Sequence, residues 1–179
     1  MLVRAILFLL DSVLSFLSVL LLLRFFMQAF RVSFANPVGA FVVQLTSWLV
    51  KPLRKVVPGV FGLDLASLLP AYLLQVLLLA ALIGLRGGLY LNVPDMLAGF
   101  LLWHALLATL RLSVYVMIGA LLAQAILSWV VPHSPLTLPI NQFTQPLLSP
   151  IRRFLPPIGI FDLSPLVAIL ILQVLLIFV

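Results

Sequence analysis

The stretch Pro150–Pro165, which reads PIRRFLPPIGIFDLSP, has a second version earlier in the chain, at Pro52–Ser67, which reads PLRKVVPGVFGLDLAS. Both versions carry basic residues near the start and an Asp near the end, and both lie between long apolar segments. Similarity at a fixed separation is typical of a structural unit that a chain uses more than once. We therefore expect an apolar span, a basic loop and a second apolar span in each half.

The similarity extends over a longer alignment without a gap. Subtracting 98 from the residue number aligns Pro135–Leu176 with Pro37–Leu78. Identities among prolines and polar residues carry most weight, because such residues are scarce in this chain. These pairs are Pro37/Pro135, Gln44/Gln142, Thr46/Thr144, Pro52/Pro150, Arg54/Arg152, Pro58/Pro156, Asp64/Asp162 and Gln75/Gln173. Further upstream the register is open, because a shift of 98 pairs Ser15 with Ser113, whereas a shift of 100 pairs Arg24 with Gln124.

The composition indicates a lipid environment. Of the 179 residues, 65% are hydrophobic and only 8% are charged, and the mean hydropathy is +1.35. A soluble domain usually has about 25% charged residues. The net charge of +6 would suggest a nucleic-acid partner for a soluble protein. Here the basic residues stand in short loops beside apolar spans, which is typical of orientation in a membrane, so we expect no nucleic acid.

The hydropathy pattern predicts an all-α membrane protein with four transmembrane helices in two units, 1–89 and 90–179. The predicted spans are residues 5–30, 65–85, 108–130 and 163–179, all approximate. The first is interpreted as an uncleaved span, because charged residues interrupt the clean apolar core that a signal peptide has. The third is open, since Met96–Val131 is too long for one upright span. Either a short interfacial piece precedes it, or one tilted helix projects from the membrane.

An amphipathic helix is predicted between the two spans of each unit. Asn36-Pro37 is a favourable helix start. The helix expected at about 37–50 is too short to span, so it should lie in the membrane interface. Its counterpart is expected at about 135–148, where Pro139 and Pro146 predict a shorter or kinked helix. A basic loop is expected to follow each of these helices.

Four spans would put both basic loops on one side of the membrane and both termini on the other. The loop side carries Arg31, Lys51, Arg54, Lys55, Arg152 and Arg153. The other side carries Arg4, Arg86 and, if the third span starts late, Arg111. The positive-inside rule therefore predicts cytoplasmic loops. Because each unit has two spans, both units should have the same orientation and be related by an axis along the membrane normal.

These motifs resemble the small membrane-protein family called YggT, also YlmG, whose hallmark is a Pro-x-Arg-Arg-x-x-Pro loop, a Gly/Asp-rich turn, Ser-Pro and a hydrophobic span. The second unit matches this pattern well. Its matching residues are Leu127-Ser128-Trp129, Thr144-Gln145-Pro146-Leu147-Leu148, Pro150-Ile151-Arg152-Arg153, Pro156-Pro157-Ile158-Gly159 and Asp162-Leu163-Ser164-Pro165. The first unit is looser, because it has Ala66-Ser67 where Ser-Pro is expected.

The resemblance implies a multi-pass protein of the bacterial inner membrane with two tandem repeats. Family members have no established activity and have been associated with cell division, osmotic or ion stress, and assembly of a plastid cytochrome complex. A non-enzymatic scaffold or an assembly or envelope-maintenance factor is the first interpretation, with anionic lipids, other membrane proteins or further copies of the chain as partners. The alternative is a small oligomeric ion or osmolyte transporter or channel, with Arg24, Gln28, Gln75, Gln124 and Gln173 facing a pathway.

The duplicated loops and the first span supply the candidate site residues. Anionic lipids or an acidic partner segment would bind at Arg54, Lys55, Arg152 and Arg153, unless these residues only hold orientation. Asp64 and Asp162 are either helix caps or ion-pair partners of the Arg ten residues earlier. Candidate polar residues inside the first span are Asp11, Arg24 and Gln28. The alternative for Asp11 and Arg24 is that each side chain extends to its own interface.

Little in the sequence points to catalysis. Without cysteine, disulfides, thiolate metal sites and iron–sulfur ligation are excluded. The two histidines, His104 and His133, stand on different predicted elements, and the four acidic residues are dispersed. We therefore expect no catalytic residue, no metal and no cofactor.

Overall fold

The computed structural model describes residues 1–57, 63–85, 94–131, 134–154 and 162–179. Within these ranges the chain forms six helices. They are α1 (Leu2–Ala29), α2 (Pro37–Val56), α3 (Leu65–Leu85), α4 (Pro94–Val130), α5 (Thr137–Phe154) and α6 (Ser164–Phe178). The predicted all-α class is confirmed. The predicted boundary between the two units, at residues 89 and 90, lies outside the described residues.

Three helices are long and apolar enough to cross a membrane, namely α1, α3 and the Leu97–Ser128 part of α4. With 21 residues, α3 is about 31 Å long, which matches a hydrocarbon core about 30 Å thick. The apolar helix α6 has only 15 residues. It is therefore shorter than the span predicted at about 163–179.

The start of the third span was not decided within the apolar stretch Met96–Val131, and the structure has a single helix there, α4. With 37 residues, α4 is about 55 Å long and exceeds the thickness of the hydrocarbon core. The helix begins at Pro94, a residue that suits the first helical position, so it continues upstream of the span start predicted at about 108 and agrees with the alternative of one long helix. Nothing between Met96 and Val131 breaks it, since isolated glycines such as Gly99 and Gly119 weaken a helix by only about 1 kcal/mol each.

The amphipathic helix α2 begins as the sequence predicts and ends later. Asn36 is the N-cap, and its Oδ1 accepts a hydrogen bond of 2.9 Å from the Gly39 N–H. The helix then continues through Pro52 to Val56, past the predicted end at about residue 50. Arg54 and Lys55 therefore lie in its last turn and not in a loop.

The same correction applies to α5, which runs without interruption through Pro146 and Pro150 to Phe154. Arg152 and Arg153 form its last turn. A proline removes one backbone hydrogen bond from a helix. Both prolines stand on the exposed side, where water or headgroups can satisfy the freed carbonyl. Pro139 lies in the first turn, where the missing N–H has no helical partner in any case. With 18 residues, α5 is two residues shorter than α2, and it ends later than the predicted 148.

The helices pack into two matching groups. α1 packs against α2 and α3, and α4 packs against α5 and α6, while α1 and α3 also contact α4. The first group has a buried core that includes Leu21, Val50 and Ala71. The second has a buried core that includes Leu121, Leu148 and Ile169. A shift of 98 relates Val50 to Leu148 and Ala71 to Ile169. Leu21 and Leu121, by contrast, are 100 apart. These positions favour the shift of 100 for α1 and α4.

A third apolar cluster joins the two groups. Met27 and Val32 from the first half pack against Met117 and Phe143 from the second. The ring of Phe143 meets that of Phe30 edge to face, with centroids 5.5 Å apart. Aromatic pairs in this geometry contribute about 0.5–1.5 kcal/mol beyond their buried area. The two halves thus share a core of their own at the level where α1 ends and α5 lies.

Gly39 allows α2 to approach the segment that leads into it. A Cβ at this position would lie 2.7 Å from Phe34 Cα and 2.8 Å from Phe34 O, both backbone atoms.

We expect Gly39→Ala to lower the free energy of unfolding by about 1–3 kcal/mol through overpacking. Thermal unfolding in detergent measures this. The control is Gly119→Ala on α4, where a Cβ meets nothing within 4 Å, so that the change should be neutral or stabilising by at most about 1 kcal/mol. Equal effects of both substitutions would contradict the close approach.

Candidate functional site

The carboxylate of Asp64 lies at the junction of the first three helices. Asp64 directly precedes α3, and its side chain is only 3% exposed. Arg54, from the last turn of α2, places Nη2 2.6 Å from Oδ2 and Nε 3.3 Å from Oδ1. The hydroxyl of Ser67, one turn into α3, donates to Oδ2 at 2.7 Å. Asp64 is therefore an ion-pair partner whose side chain bonds a guanidinium and a hydroxyl.

Arg24 on α1 brings a second guanidinium to the same carboxylate. Its side chain is 6% exposed, and Nε lies 4.0 Å from Asp64 Oδ2. Nη1 donates to Thr46 Oγ1 on α2 at 2.8 Å, and Thr46 in turn donates to the Val42 carbonyl. The guanidinium of Arg24 is thus buried between α1, α2 and the start of α3.

The two other candidates on α1 lie in different surroundings. Gln28 Oε1 accepts a hydrogen bond of 3.0 Å from Arg54 Nη2, so Gln28 belongs to the Asp64 cluster. Asp11 is exposed and accepts only a 3.3 Å bond from Ser15 Oγ among the described residues. The Asp64 cluster therefore joins residues that the sequence placed in three separate sets: Arg24 and Gln28 from the span, Arg54 from the basic loop, and Asp64 from the helix start.

The second half repeats the pair in a more open form. Arg152 Nη2 and Nε lie 2.6 Å and 3.0 Å from the same oxygen, Asp162 Oδ2. The other oxygen, Oδ1, accepts the backbone N–H of Ser164 at 2.9 Å. Asp162 is thus an ion-pair partner and also satisfies an N–H at the start of α6. Its side chain is 26% exposed, compared with 3% for Asp64.

The surroundings of Asp162 favour its ionised form. Partial burial raises the pKa of this carboxyl, whereas hydrogen bonds from Ser164 and Arg152 and the positive charge of Arg152 lower it. The lowering effects prevail, so the pKa lies below its ordinary value. The pair therefore stays charged down to acidic pH.

The neighbouring cations point away from the carboxylates. Among the described residues the ion pairs are Arg24–Asp64, Arg54–Asp64 and Arg152–Asp162. Lys55 and Arg153 are exposed and form no ion pair with another described residue. The four basic candidates thus divide into two that fix helices to one another and two that face the surroundings.

The sequence did not predict one polar contact between α1 and α3. Gln75 Nε2 donates to Ser18 Oγ at 3.0 Å, and both residues are buried. The identity of Gln75 and Gln173 in the alignment marks Gln75 as unusual, but nothing in the sequence pairs it with Ser18. Of the five residues proposed to face a pathway, Gln75 and Arg24 are instead bonded to neighbouring helices.

No described part of the chain offers a metal centre: groups of three or more His, Cys, Asp or Glu side chains that could hold an ion are absent there. The ring of His104 stacks on Phe100 with centroids 3.8 Å apart, and its Nδ1 lies 2.9 Å from the Phe100 carbonyl. His133 lies outside the described residues.

Helices that are long and apolar enough to cross a membrane place the chain in the class of helical membrane proteins. It belongs to the CCB3/YggT family, whose sequence model matches residues 3–85 and 103–179. The two matched segments are consistent with two tandem repeats. The predicted family is therefore confirmed.

Relatives in several bacteria match the chain over nearly its whole length. An uncharacterized protein of Pseudomonas aeruginosa is 37% identical over 94% of this chain and 85% of its own. The uncharacterized protein YggT of Escherichia coli K12 is 39% identical over 93% of this chain and 85% of its own. A Vibrio alginolyticus relative is 36% identical over 93% and 88%, respectively. No solved structure matches the chain significantly.

The difference in burial predicts unequal costs for removing the two carboxylates. Asp64→Asn leaves Arg24 and Arg54 close together without a counter-charge, and breaking a buried pair typically costs about 3–5 kcal/mol. Asp162→Asn breaks a more exposed pair and should cost about 1 kcal/mol. Thermal unfolding in detergent measures both, with Asp11→Asn as the control, since Asp11 makes one long hydrogen bond to Ser15.

A double-mutant cycle separates pairing from capping at Asp162. Asn can still accept the Ser164 N–H, so loss of capping alone would be small. Arg152→Gln in the Asp162→Asn chain should add little further loss if the pair accounts for the first effect. Additive losses would contradict a coupled pair.

Proposed function

We propose that this chain is a non-enzymatic multi-pass protein of the bacterial inner membrane that acts as a scaffold in the assembly or maintenance of the envelope. The main support for the proposal is that the two basic residues at the end of each amphipathic helix, Arg54–Lys55 and Arg152–Arg153, make different contacts. Arg54 and Arg152 tie the end of an amphipathic helix to the start of the next apolar helix, while Lys55 and Arg153 face outward. Such an arrangement supports binding at a fixed surface.

The orientation of α2 supports an interfacial position. One side of the helix is buried against the protein, with Val42, Thr46 and Val50 fully inaccessible. Phe41 and Trp48 remain exposed on another side. Aromatic rings, Trp above all, are enriched at the boundary between the hydrocarbon and the headgroups. With Phe41 and Trp48 in that boundary, the end of α2 would hold Lys55 at the level of the headgroups.

In the proposed topology, α1, α3, α4 and α6 all span, in two parallel repeats with α2 and α5 at the cytoplasmic interface and both termini on the other side. The support for four spans is the match between α3 and α6 in the alignment and in their packing against α2 and α5. α6 is short, about 22 Å from its 15 residues, so it would need residues outside the helix or a thinner bilayer to cross.

The proposed topology predicts the result of reporter fusions. A reporter that is active only in the cytoplasm should work when it is inserted within Val57–Leu63 and fail when it is fused after Val179. The physical reason is the excess of Lys and Arg beside the ends of α2 and α5, which resist translocation. The reverse pattern would refute the orientation, and activity at both sites would refute four spans.

The occupant that we propose for the outward cations is an acidic segment of another membrane protein. A photoreactive residue in place of the exposed Val56, next to Lys55, should cross-link that partner in native membranes. Charge reversal at Lys55 and Arg153 should reduce the cross-link by at least about tenfold, since exposed charges mainly control encounter and specificity. Reversal of Arg4, which the topology puts on the other side, is the matched control.

The same experiment also detects cross-linking to lipid. Cross-links to anionic lipid alone, without a protein partner, would replace the scaffold proposal with a lipid-binding role. A cross-linked protein that is indifferent to both charge reversals would show that the cations do not form the surface. Abundance of the variants must stay unchanged, which Lys55 and Arg153 allow because neither takes part in the ion pairs that join the described helices.

The transporter alternative has less support. A pathway needs polar side chains that are free to contact a solute, whereas Arg24 donates to Thr46 and Gln75 donates to Ser18. Purified protein in liposomes distinguishes the two functions. Solute-selective flux would favour the transporter, and its absence together with a cross-linked partner would favour the scaffold.

A further inference from the structure

A polar cavity of about 150 Å³ lies beside the ion pair of the second half. It is enclosed by α4, α5 and the start of α6. The polar residues that line it are Gln124, Ser128, Thr137, Asn141, Arg152 and Asp162. Since one water occupies about 30 Å³ in the liquid, the cavity has room for several waters or for one small solute.

Two atoms on the wall of this cavity lack a partner. Gln124 Oε1 and Thr137 Oγ1 are buried and accept or donate no hydrogen bond within the described residues. Gln124 as a whole is 6% exposed. A buried polar atom without a partner is unfavourable, because it has lost its hydrogen bonds to water. Because an amide oxygen can only accept, an occupant that stabilises Gln124 must be a donor.

The first half shows which donor fits the equivalent place. Gln124 stands 100 residues after Arg24, and both side chains are buried. There the guanidinium of Arg24 donates to Thr46 and lies 4.0 Å from Asp64. The second half keeps a threonine, Thr144, at the place of Thr46, and its hydroxyl donates to the Ile140 carbonyl as Thr46 donates to that of Val42. It also keeps the carboxylate, so the missing part is the second cation.

We propose that this cavity binds a small organic cation of the guanidinium class beside Asp162. Its N–H groups would donate to Gln124 Oε1, to the hydroxyl of Thr137 and to the carboxylate. The nearby charge of Arg152 does not exclude such a ligand, because Arg54 and Arg24 share Asp64 in the same way in the first half. A neutral or donor-free molecule would lack either the charge or the hydrogen bonds.

The probe is methylguanidinium, added to the purified full-length protein in detergent at constant ionic strength. Equilibrium dialysis should give saturable binding at one site per chain, and the same concentrations should raise the midpoint of thermal unfolding. Urea, which has a similar shape without charge, and tetramethylammonium, which has charge without N–H donors, should bind at least tenfold more weakly. Absence of saturable methylguanidinium binding, or equal binding of either control, would overturn the proposal and leave a cavity filled by water.

Two substitutions test whether methylguanidinium binds in this cavity. Gln124→Arg supplies the cation covalently, so binding should be lost while thermal stability is retained or increased. Arg24→Gln should open a second space beside Asp64 that binds more weakly, because Gly39 stands there at the place of Thr137. If the first variant fails to fold, Gln124→Leu removes the accepting oxygen and should weaken binding at least tenfold. Binding that none of these changes alters would contradict the assignment. None of these outcomes depends on the partner cross-links, so this proposal and the scaffold proposal can fail separately.

Discussion

The buried carboxylate of Asp64 fixes the geometry of the first half of the molecule. Removal of a carboxylate from water costs several kcal/mol, and a protein recovers that cost only with close, well-oriented partners. Asp64 obtains them from Arg54 on α2 and Ser67 on α3, and Arg24 on α1 adds a second positive charge 4.0 Å away. A turn of α1 by one residue, about 100°, would carry Arg24 away and leave the charge under-compensated. The ion pair therefore sets the rotation of α1 as well as the docking of α2.

The carboxylate of Asp162 in the second half also needs partners for its charge, but it is less buried than that of Asp64. Asp162 has one guanidinium partner instead of two, and it uses its second oxygen for the Ser164 N–H. Its greater exposure lets solvent or headgroups share the charge, so a second cation is not required for stability. Gln124 stands at the place that Arg24 has in the first half, and a polar cavity lies beside it. Two copies of one unit have thus diverged at the position where burial and charge must balance.

The sequence predicts much of this fold because its main signals are local. Helix α3 is visible as 21 uncharged residues, and the start of α2 as Asn36-Pro37. The ends of α2 and α5 were predicted too early because the stretches that begin at Pro52 and Pro150 were interpreted as loops, whereas both helices continue through these prolines. Which side of a helix is exposed decides whether the missing hydrogen bond matters, and that depends on packing. The position of Arg24 beside Asp64 could not be predicted either, because the register upstream of Pro37 was open and burial of the guanidinium depends on three helices at once.

The alignment does show one functional distinction, once the ion pairs are known. The first basic residue of each pair is Arg in both halves, Arg54 and Arg152, while the second is Lys55 in one and Arg153 in the other. A planar guanidinium can present two N–H donors, Nε and Nη2, to one carboxylate, which a lysine ammonium cannot do in the same geometry. An outward charge needs only to be positive, so either residue serves. In both halves the position that pairs with the carboxylate and joins two helices is arginine, whereas the exposed position next to it is lysine in one half and arginine in the other.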